Sequence, residues 1–269
     1  MASRPPGWLV WPSAALLLLA AALRHRDYAD APPTPPPLPA GEAMLAEASP
    51  LELVATTRLR SHHIAGVAFS VGDAGLWITT RGVAAHCPHP AIVVNGPGVP
   101  AKATFAPGGQ LAWLTTTAGA PALPTASGPL RDAEFAYAAG FPAGRPGEAA
   151  LRFMAARTLF VRPRGAHGLP VLMWAEAGRT EGLAGRLTPG LVGAPALDRD
   201  GAAVGVVLGQ GPNRGRIYTT TNEALAGALA AAGAPRTPPA AGAPMSPGNY
   251  GLAADDLRRS LRIAAIACG

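Results

Sequence analysis

Short apolar runs separated by turn residues dominate the chain from residue 64 onwards. Residues 64–71 and 76–80 are two such runs, and Gly72-Asp-Ala-Gly75 separates them. Apolar runs joined by a short glycine-containing turn predict a β-hairpin. Asp200-Gly201 lies between two later runs and predicts the turn of another hairpin. Similar patterns predict strands at 91–95, 101–106, 110–116, 134–139, 149–161, 170–175, 194–197, 202–208 and 214–221.

The N-terminal pattern is different. Residues 8–23 are almost entirely apolar, with Arg4 before them and Arg24 and Arg26 after them. This run is short for a transmembrane helix, but it suits a signal anchor or the apolar core of a secretory signal. We favour an uncleaved anchor. Cleavage after Ala31 is the alternative. The proline-rich stretch that follows predicts an extended spacer, and residues 42–54 could form a short helix.

The C-terminal part carries two helical patterns. Residues 222–232 are rich in Ala and Leu and predict a helix that ends near Gly233. After a Pro/Gly-rich stretch, residues 253–267 begin as an amphipathic helix, with Asp255 and Asp256 near its positive end. The predicted organisation is an anchor over 1–27, a linker over 28–50, a folded domain over 51–232, and a linker with a docking segment over 233–269.

Composition narrows the fold class and the kinds of partner. The chain has 33 glycines and 30 prolines, and only 14% of its residues are charged, which favours short strands and turns over a helical bundle. The net charge of +6 comes from scattered arginines, because Lys102 is the sole lysine. Nucleic-acid binding requires a clustered basic stripe, and none is present. We therefore predict an all-β fold, no nucleic-acid partner, and an anionic membrane surface as a fitting neighbour.

Three segments resemble motifs of the exported, membrane-anchored trypsin-like peptidases of bacteria, in the chymotrypsin and Deg-protease superfamily. Residues 66–83 are similar to G-x-G-F-x-V…L-W-L-T-A-R-H-V, which carries the catalytic histidine. Residues 140–147 resemble G-[YF]-P-x-G-x-x-G. Residues 190–207 are similar to G-x-S-G-G-P-V-x-D…G-x-V-V-G-V, the nucleophile loop and the hairpin after it. The resemblance implies a trypsin-like double β-barrel, with two six-stranded-like barrels and a cleft between them.

The same resemblance implies that the catalytic triad is lost. The histidine position falls on Gly82, the aspartate position on Gln110 and the serine position on Val192. A serine protease needs a nucleophilic hydroxyl, an imidazole to take its proton, and a carboxylate that orients the imidazole. Glycine, glutamine and valine supply none of these groups. The sequence therefore predicts a catalytically inactive relative of these proteases.

Two residues offer substitutes for the lost groups. His86 lies in Ala-Ala-His-Cys, one helical turn beyond Gly82, and a shift of register would present it as the base. Ser127 is a candidate nucleophile, although it precedes the segment 140–147 and lies on the wrong connection. With Val192 in the nucleophile position, a base at His86 has nothing to activate.

The nucleophile loop retains part of an oxyanion site. The main-chain N–H groups of Gly190 and Val192 could still form the donor pair, but Ala194 replaces a glycine. A β-branched valine fits poorly in a strained turn, so we expect the loop to have relaxed. No cofactor or metal is expected, since the residues with ligand-like spacing are more typical of surface loops: His62, His63, His86, Cys87 and His89.

The two cysteines are far apart in sequence. An exported protein permits a disulfide, and the apolar end 263–268 is expected to dock on the first barrel. Docking there would bring Cys268 to Cys87. A frayed tail with free thiols is the alternative.

Three functions remain open from the sequence. The favoured one is an inactive protease homologue, anchored in the inner membrane or exported, which binds a peptide or protein partner in the periplasm. The second is an active serine-type endopeptidase with a rearranged site near His86. The third is a structural or interaction module of the envelope that no longer uses the cleft.

Overall fold

The computed structural model describes residues 64–106, 109–126, 128, 130, 134–160, 168–180, 188–211, 215–234 and 242–269. The anchor, the proline-rich linker and the helix predicted over 42–54 lie outside these residues. No helix within the described ranges is long and apolar enough to cross a membrane. The described part is mostly β-structure and forms two barrel-like sheets.

The first sheet has seven strands in the order β4-β3-β13-β1-β2-β6-β5. The predicted hairpin of β1 and β2 is confirmed, with Gly75 in the left-handed region (φ 88°) at its turn. Along β1, Val67 and Phe69 pack in the core shared with the second barrel, while Ala68 packs in the interior of the first. The strands are β1 Ile64–Gly72, β2 Leu76–Thr80, β3 Pro90–Val93, β4 Gly98–Pro100, β5 Lys102–Phe105, β6 Leu111–Thr115 and β13 Ile263–Cys268.

The second sheet is a closed barrel in the order β10-β11-β12-β9-β8-β7. The predicted turn between β10 and β11 is confirmed, with Gly201 at φ 72°. The Asp198 carboxylate accepts the N–H groups of Asp200 and Ala202, each at 2.9 Å, which fixes this turn. The strands are β7 Phe135–Gly140, β8 Gly147–Phe160, β9 Gly168–Arg179, β10 Pro195–Leu197, β11 Ala203–Gln210 and β12 Arg216–Thr220.

Four short helices join the described strands: α1 Arg81–Ala85, α2 Thr188–Leu191, α3 Asn222–Ala231 and α4 Tyr250–Arg259. The helix predicted over 222–232 is confirmed, and the Thr221 hydroxyl caps it by accepting the N–H of Ala224. The helix predicted at the start of the segment 253–267 is present, but it begins earlier, at Tyr250, and ends at Arg259. Its buried stripe of Tyr250, Ala253, Ala254 and Leu257 packs in the core with the second barrel.

The C-terminal segment completes the first barrel. Strand β13 lies between β1 and β3 and pairs antiparallel with both. Its residues Ala264 and Ile266 pack in the interior of that barrel. The predicted docking is confirmed, and so is the disulfide between Cys87 and Cys268, which spans 181 residues of sequence. The extra strand explains why the first sheet has seven strands where six were predicted.

A buried ionic cluster fixes α4 to the second barrel. The Arg258 guanidinium, with 8% of its side chain exposed, forms ion pairs with Glu148 and Asp255. It also donates to the main-chain oxygens of Gly140 (2.9 Å) and Gly147 (3.2 Å). Burial raises the pKa of Glu148, and the nearby Arg258 charge opposes this shift. Arg258 therefore ties α4 to both ends of the turn between β7 and β8.

Loss of the disulfide is expected to destabilise the protein by about 2–5 kcal/mol, because the bond restricts a long loop of the unfolded chain. Urea unfolding of Cys268→Ser, and of Cys87→Ser with Cys268→Ser, measures the change against the oxidised parent. Denatured parent protein is expected to show no reactive thiols before reduction and two afterwards. Two reactive thiols in exported, unreduced protein would contradict the bond.

Tyr250 provides a second prediction. Its ring stacks on Tyr137 at 5.3 Å between centroids, and its buried hydroxyl has no hydrogen-bond partner among the described residues. Burial raises the pKa of Tyr250 to about 12, above the usual value of about 10 in an unfolded chain. Its contribution to stability is therefore complete below pH 10 and is lost as pH rises through 12.

Tyr250→Phe is expected to leave stability at pH 7 unchanged or to raise it, because it removes an unsatisfied buried hydroxyl. Between pH 10 and 12, its free energy of unfolding should fall less steeply than that of the parent. Urea unfolding at pH 7, 10 and 11.5 tests both points. A loss above about 1 kcal/mol at pH 7 would mean that the hydroxyl makes a useful bond.

Candidate functional site

Gly82 lies at the end of β2, where the chain turns into α1. The Thr80 hydroxyl caps this helix by accepting the Val83 N–H at 3.3 Å. Gly82 is exposed, and a side chain added there would meet no atom within 4 Å. The position predicted for the histidine is therefore an open place on the helix, with room for a larger residue.

Gln110 is held beside Gly82 through Arg81. The Arg81 main-chain N–H donates to the Gln110 carbonyl at 2.7 Å. The Arg81 guanidinium donates to the carbonyls of Gly109 and Ala106, each at 3.0 Å, and lies over the Phe105 ring. Arg81 thus fixes the approach to β6 with three hydrogen bonds, so Gln110 sits half-buried at a defined distance from α1.

Val192 follows α2 and faces the first barrel. Its carbonyl accepts the Val67 N–H at 2.9 Å, and its side chain packs against the core of that barrel. The next residue, Gly193, has φ 91°, and an added Cβ there would clash with the Val67 carbonyl. Only glycine fits this turn without strain, so the sequence at 193 fixes where Val192 lies.

Gly66 is the point where these parts meet. A Cβ built on Gly66 would lie 2.5 Å from a methyl of Val83 and 2.8 Å from the Val192 carbonyl oxygen. The absence of a side chain at 66 therefore lets α1 and the Val192 turn approach the same strand. Val83, which follows Gly82, and the Val192 carbonyl thus lie against β1, while Arg81, which precedes Gly82, bonds the Gln110 carbonyl. Gly82, Gln110 and Val192 offer no titratable or nucleophilic side chain.

His86 caps the other end of α1. Its ring nitrogen Nδ1 lies 2.7 Å from the Gly82 carbonyl oxygen, so the side chain folds back over the face that carries Gly82. If Nδ1 donates this bond, Nε2 is the remaining ring acceptor. Its ring is exposed. His86 and Gly82 share a face, as the sequence predicted.

Ser127, His62 and His63 lie outside the described residues. Cys87 is committed to the disulfide, and no group of three or more His, Cys, Asp or Glu side chains in the described ranges could hold a metal ion.

Gly190 belongs to the helical turn α2. Its carbonyl accepts the Phe141 N–H at 2.8 Å, so the remnant of the oxyanion loop is fixed to the turn after β7. Glycine is required on both sides of this contact, because an added Cβ at Gly140 or Gly190 would clash with the other segment. The resemblance at 140–147 and at 190 thus corresponds to one packing contact.

The edge of β11 beside Val192 was not identified from the sequence. Strand β10 pairs with β11 only as far as Val206. Val207 instead bonds the turn that follows α2. Its N–H donates to the Ala194 carbonyl at 2.8 Å, and its carbonyl accepts the Gly193 N–H at 2.9 Å. From Leu208 onwards, no described strand pairs with β11 on that side. The signal was in the sequence only as the apolar run 202–208, which cannot show where its neighbour stops.

Substitution of two glycines tests this geometry. Gly82→Ala is expected to leave stability unchanged or to raise it by up to about 1 kcal/mol, because alanine favours the helix and meets open space. Gly66→Ala is expected to cost about 1–3 kcal/mol, because its methyl group overpacks the contact with Val83 and Val192. Urea unfolding of the two variants measures both. Equal stabilities would show that Gly66 does not hold the two turns together.

Comparison with known proteins finds matches only among solved structures. No protein-family model and no curated protein matches the sequence. A serine-to-alanine variant of Rv3671c from Mycobacterium tuberculosis H37Rv, crystallised in its inactive form, matches with a TM-score of 0.53 and 21% identity, over 66% of this chain and 86% of that chain. The active form of the Rv3671c protease matches with a TM-score of 0.52 and 19% identity, over 68% and 77%.

At this level of identity the match concerns the fold. Both structures are of the Rv3671c protease, and the match agrees with the two barrel-like sheets of this chain. This chain has the double β-barrel fold of the trypsin-like serine proteases.

Proposed function

We propose that this protein is a catalytically inactive homologue of the trypsin-like serine proteases, and that it binds an extended peptide or protein segment without cleaving it. The observation that carries the proposal is the identity of Gly82, Gln110 and Val192 at the positions that the resemblance assigns to the triad. Val83, the neighbour of Gly82, and the Val192 carbonyl both approach Gly66. Acyl transfer at such a site needs a nucleophile and a base, and these side chains offer neither. Loss of triad members costs orders of magnitude in rate.

The β11 edge supports binding of an extended chain. Beyond Val207, no described strand pairs with Leu208 or Gly209 on the side where Val207 bonds Gly193 and Ala194. An extended peptide can add to such an edge as a further strand, with its main-chain hydrogen bonds giving affinity. Gly209 carries no side chain to obstruct the approach, and a Cβ there would meet nothing within 4 Å.

The packing around the cleft supports a retained use. Gly140, Gly190 and Gly193 are each in contacts that exclude any side chain. These contacts hold the turns in a defined shape although the triad groups are gone. A retained shape without catalytic groups favours binding over a module in which the cleft has no role.

An active hydrolase is the second candidate, and His86 is the observation that favours it. Its ring lies on the Gly82 carbonyl, and the second ring nitrogen could serve as a base. The difficulty is the absence of a nucleophile at Val192. Water activated by His86 would then have to replace the serine.

The proposed location is the cell envelope. The apolar run over residues 8–23 would anchor the chain or direct its export, and the disulfide suits an oxidising compartment. The partner is proposed to be a peptide or protein, with no nucleic acid and no cofactor.

Labelling and hydrolysis assays test the loss of catalysis. The full-length protein is expected to resist a serine-directed fluorophosphonate probe and to leave casein intact. The comparison protein carries Gly82→His, Gln110→Asp and Val192→Ser, and a Cβ added at Gly82 meets no atom within 4 Å. Hydrolysis by the unmodified protein that His86→Ala abolishes would overturn the proposal in favour of the second candidate.

Peptide binding is tested with an unbiased library, followed by main-chain N-methylation of the best binder. Methylation of alternate peptide nitrogens removes donors on one edge of the bound strand. It should weaken binding by roughly tenfold or more if the peptide adds to β11. Absence of any saturable binder would leave the cleft without a use and contradict the proposal.

A further inference from the structure

A cavity of about 570 Å³ opens between the first barrel and the turn that follows β7. Its described lining does not include Gly82, Gln110 or Val192, so it is separate from the candidate site. The volume falls within the range of small-molecule sites, about 300–1,000 Å³. Most of the walls are apolar, and they include Ile64, Val93, Phe141, Ile263, Ala265 and Ala267.

Strand β13 forms the buried floor of the cavity. Ile263, Ala264, Ala265 and Ala267 line it, and each has at most 3% of its surface exposed. Strand β13 pairs with β1 on one side and with β3 on the other. Strand β3 in turn pairs with β4. The described walls therefore offer no open strand edge, and a peptide main chain would leave its polar groups unpaired there.

Two arginines are the charged residues of the described lining, and no carboxylate accompanies them. Arg258 is committed to Glu148, Asp255 and two carbonyls in the buried cluster. The Arg145 side chain is exposed, and its guanidinium has no hydrogen bond or ion pair with any described residue. The Arg145 main-chain N–H bonds the Pro142 carbonyl at 3.1 Å, which holds the residue at the cavity.

We propose that this cavity binds a small amphipathic monocarboxylate, an unbranched apolar tail with one anionic head. The tail lies against the half-buried side chains of Ile64, Val93 and Phe141, and the head pairs with Arg145. A single unpaired guanidinium matches a singly charged carboxylate, which it can bind through two parallel hydrogen bonds. An unbranched tail needs no hydrogen bonds, and that suits walls whose main-chain groups are already paired.

Tail and head make separate contributions that can be measured. Each buried methylene is expected to raise affinity by up to roughly fourfold. Loss of the charged pair is expected to lower affinity by about tenfold or more.

The experiment is isothermal titration of the purified full-length chain in lipid nanodiscs, with empty nanodiscs titrated as the reference, below the concentrations at which the probes form micelles. The probes are decanoate, octanoate, decanol and decylamine. Decanoate is expected to bind saturably at one site, more tightly than octanoate. Decanol and decylamine should bind at least about tenfold more weakly than decanoate, because neither supplies an anion for Arg145.

Two charge-reversing variants complete the test. Arg145→Glu is expected to lose about tenfold or more in affinity for decanoate, while Arg145→Lys retains more of it. Arg157→Glu is the matched control, since Arg157 is an exposed arginine on β8 outside the described lining. Thermal unfolding of each variant confirms that the exposed substitutions preserve the fold.

The outcomes separate clearly. Absence of saturable decanoate binding overturns the proposal. Equal binding of decanoate and decylamine would mean apolar binding only and would overturn the role of Arg145. Equal affinities of Arg145→Glu and Arg157→Glu would do the same.

Discussion

The antiparallel pairing of β13 with β1 and β3 is the contact on which the rest of the structure depends. It joins the C-terminal segment to the strand that begins the described fold. The disulfide between Cys87 and Cys268 holds the end of this strand, and α4 precedes its start on the surface of the second barrel. One short segment therefore completes one barrel while it is anchored on the other. The cavity above β13 exists because its floor and its turn belong to different barrels.

The candidate site has a closely packed main chain, while Gly82, Gln110 and Val192 offer it no titratable or nucleophilic side chain. Close contacts at Gly66, Gly190 and Gly193 leave no room for side chains and fix the turns around the cleft. At Gly82 there is space, and nothing fills it. Shape and charge are thus separable here: packing keeps the turns in place through main-chain approaches, whereas acyl transfer would need side chains with a proton to give or accept. Under the proposed function, an extended partner uses the shape alone.

Much of the fold could be predicted because its signals are local. The turn 72–75 and Asp200-Gly201 each set a hairpin. The segments 140–147 and 190–207, whose glycines carry the resemblance, contact each other at Gly140 and Gly190. The start of α4 at Tyr250 could not be predicted, since it depends on burial of that ring against Tyr137 in the second barrel. The β11 edge and the cavity depend on where neighbouring strands end. Tertiary packing determines where these strands end, and it produces no periodic pattern of apolar residues in the sequence.

The position of β13 also has a consequence for the order in which the chain folds. The interior of the first barrel includes Ala264 and Ile266, so the early strands cannot bury their core until the last strand arrives. The second barrel draws its strands from one continuous stretch, β7 to β12, and can close first. It then presents the surface on which α4 docks, and this docking places β13 between β1 and β3. Pairings so distant in sequence close slowly. The first barrel is therefore expected to mature last, and its early strands remain exposed until β13 pairs with them.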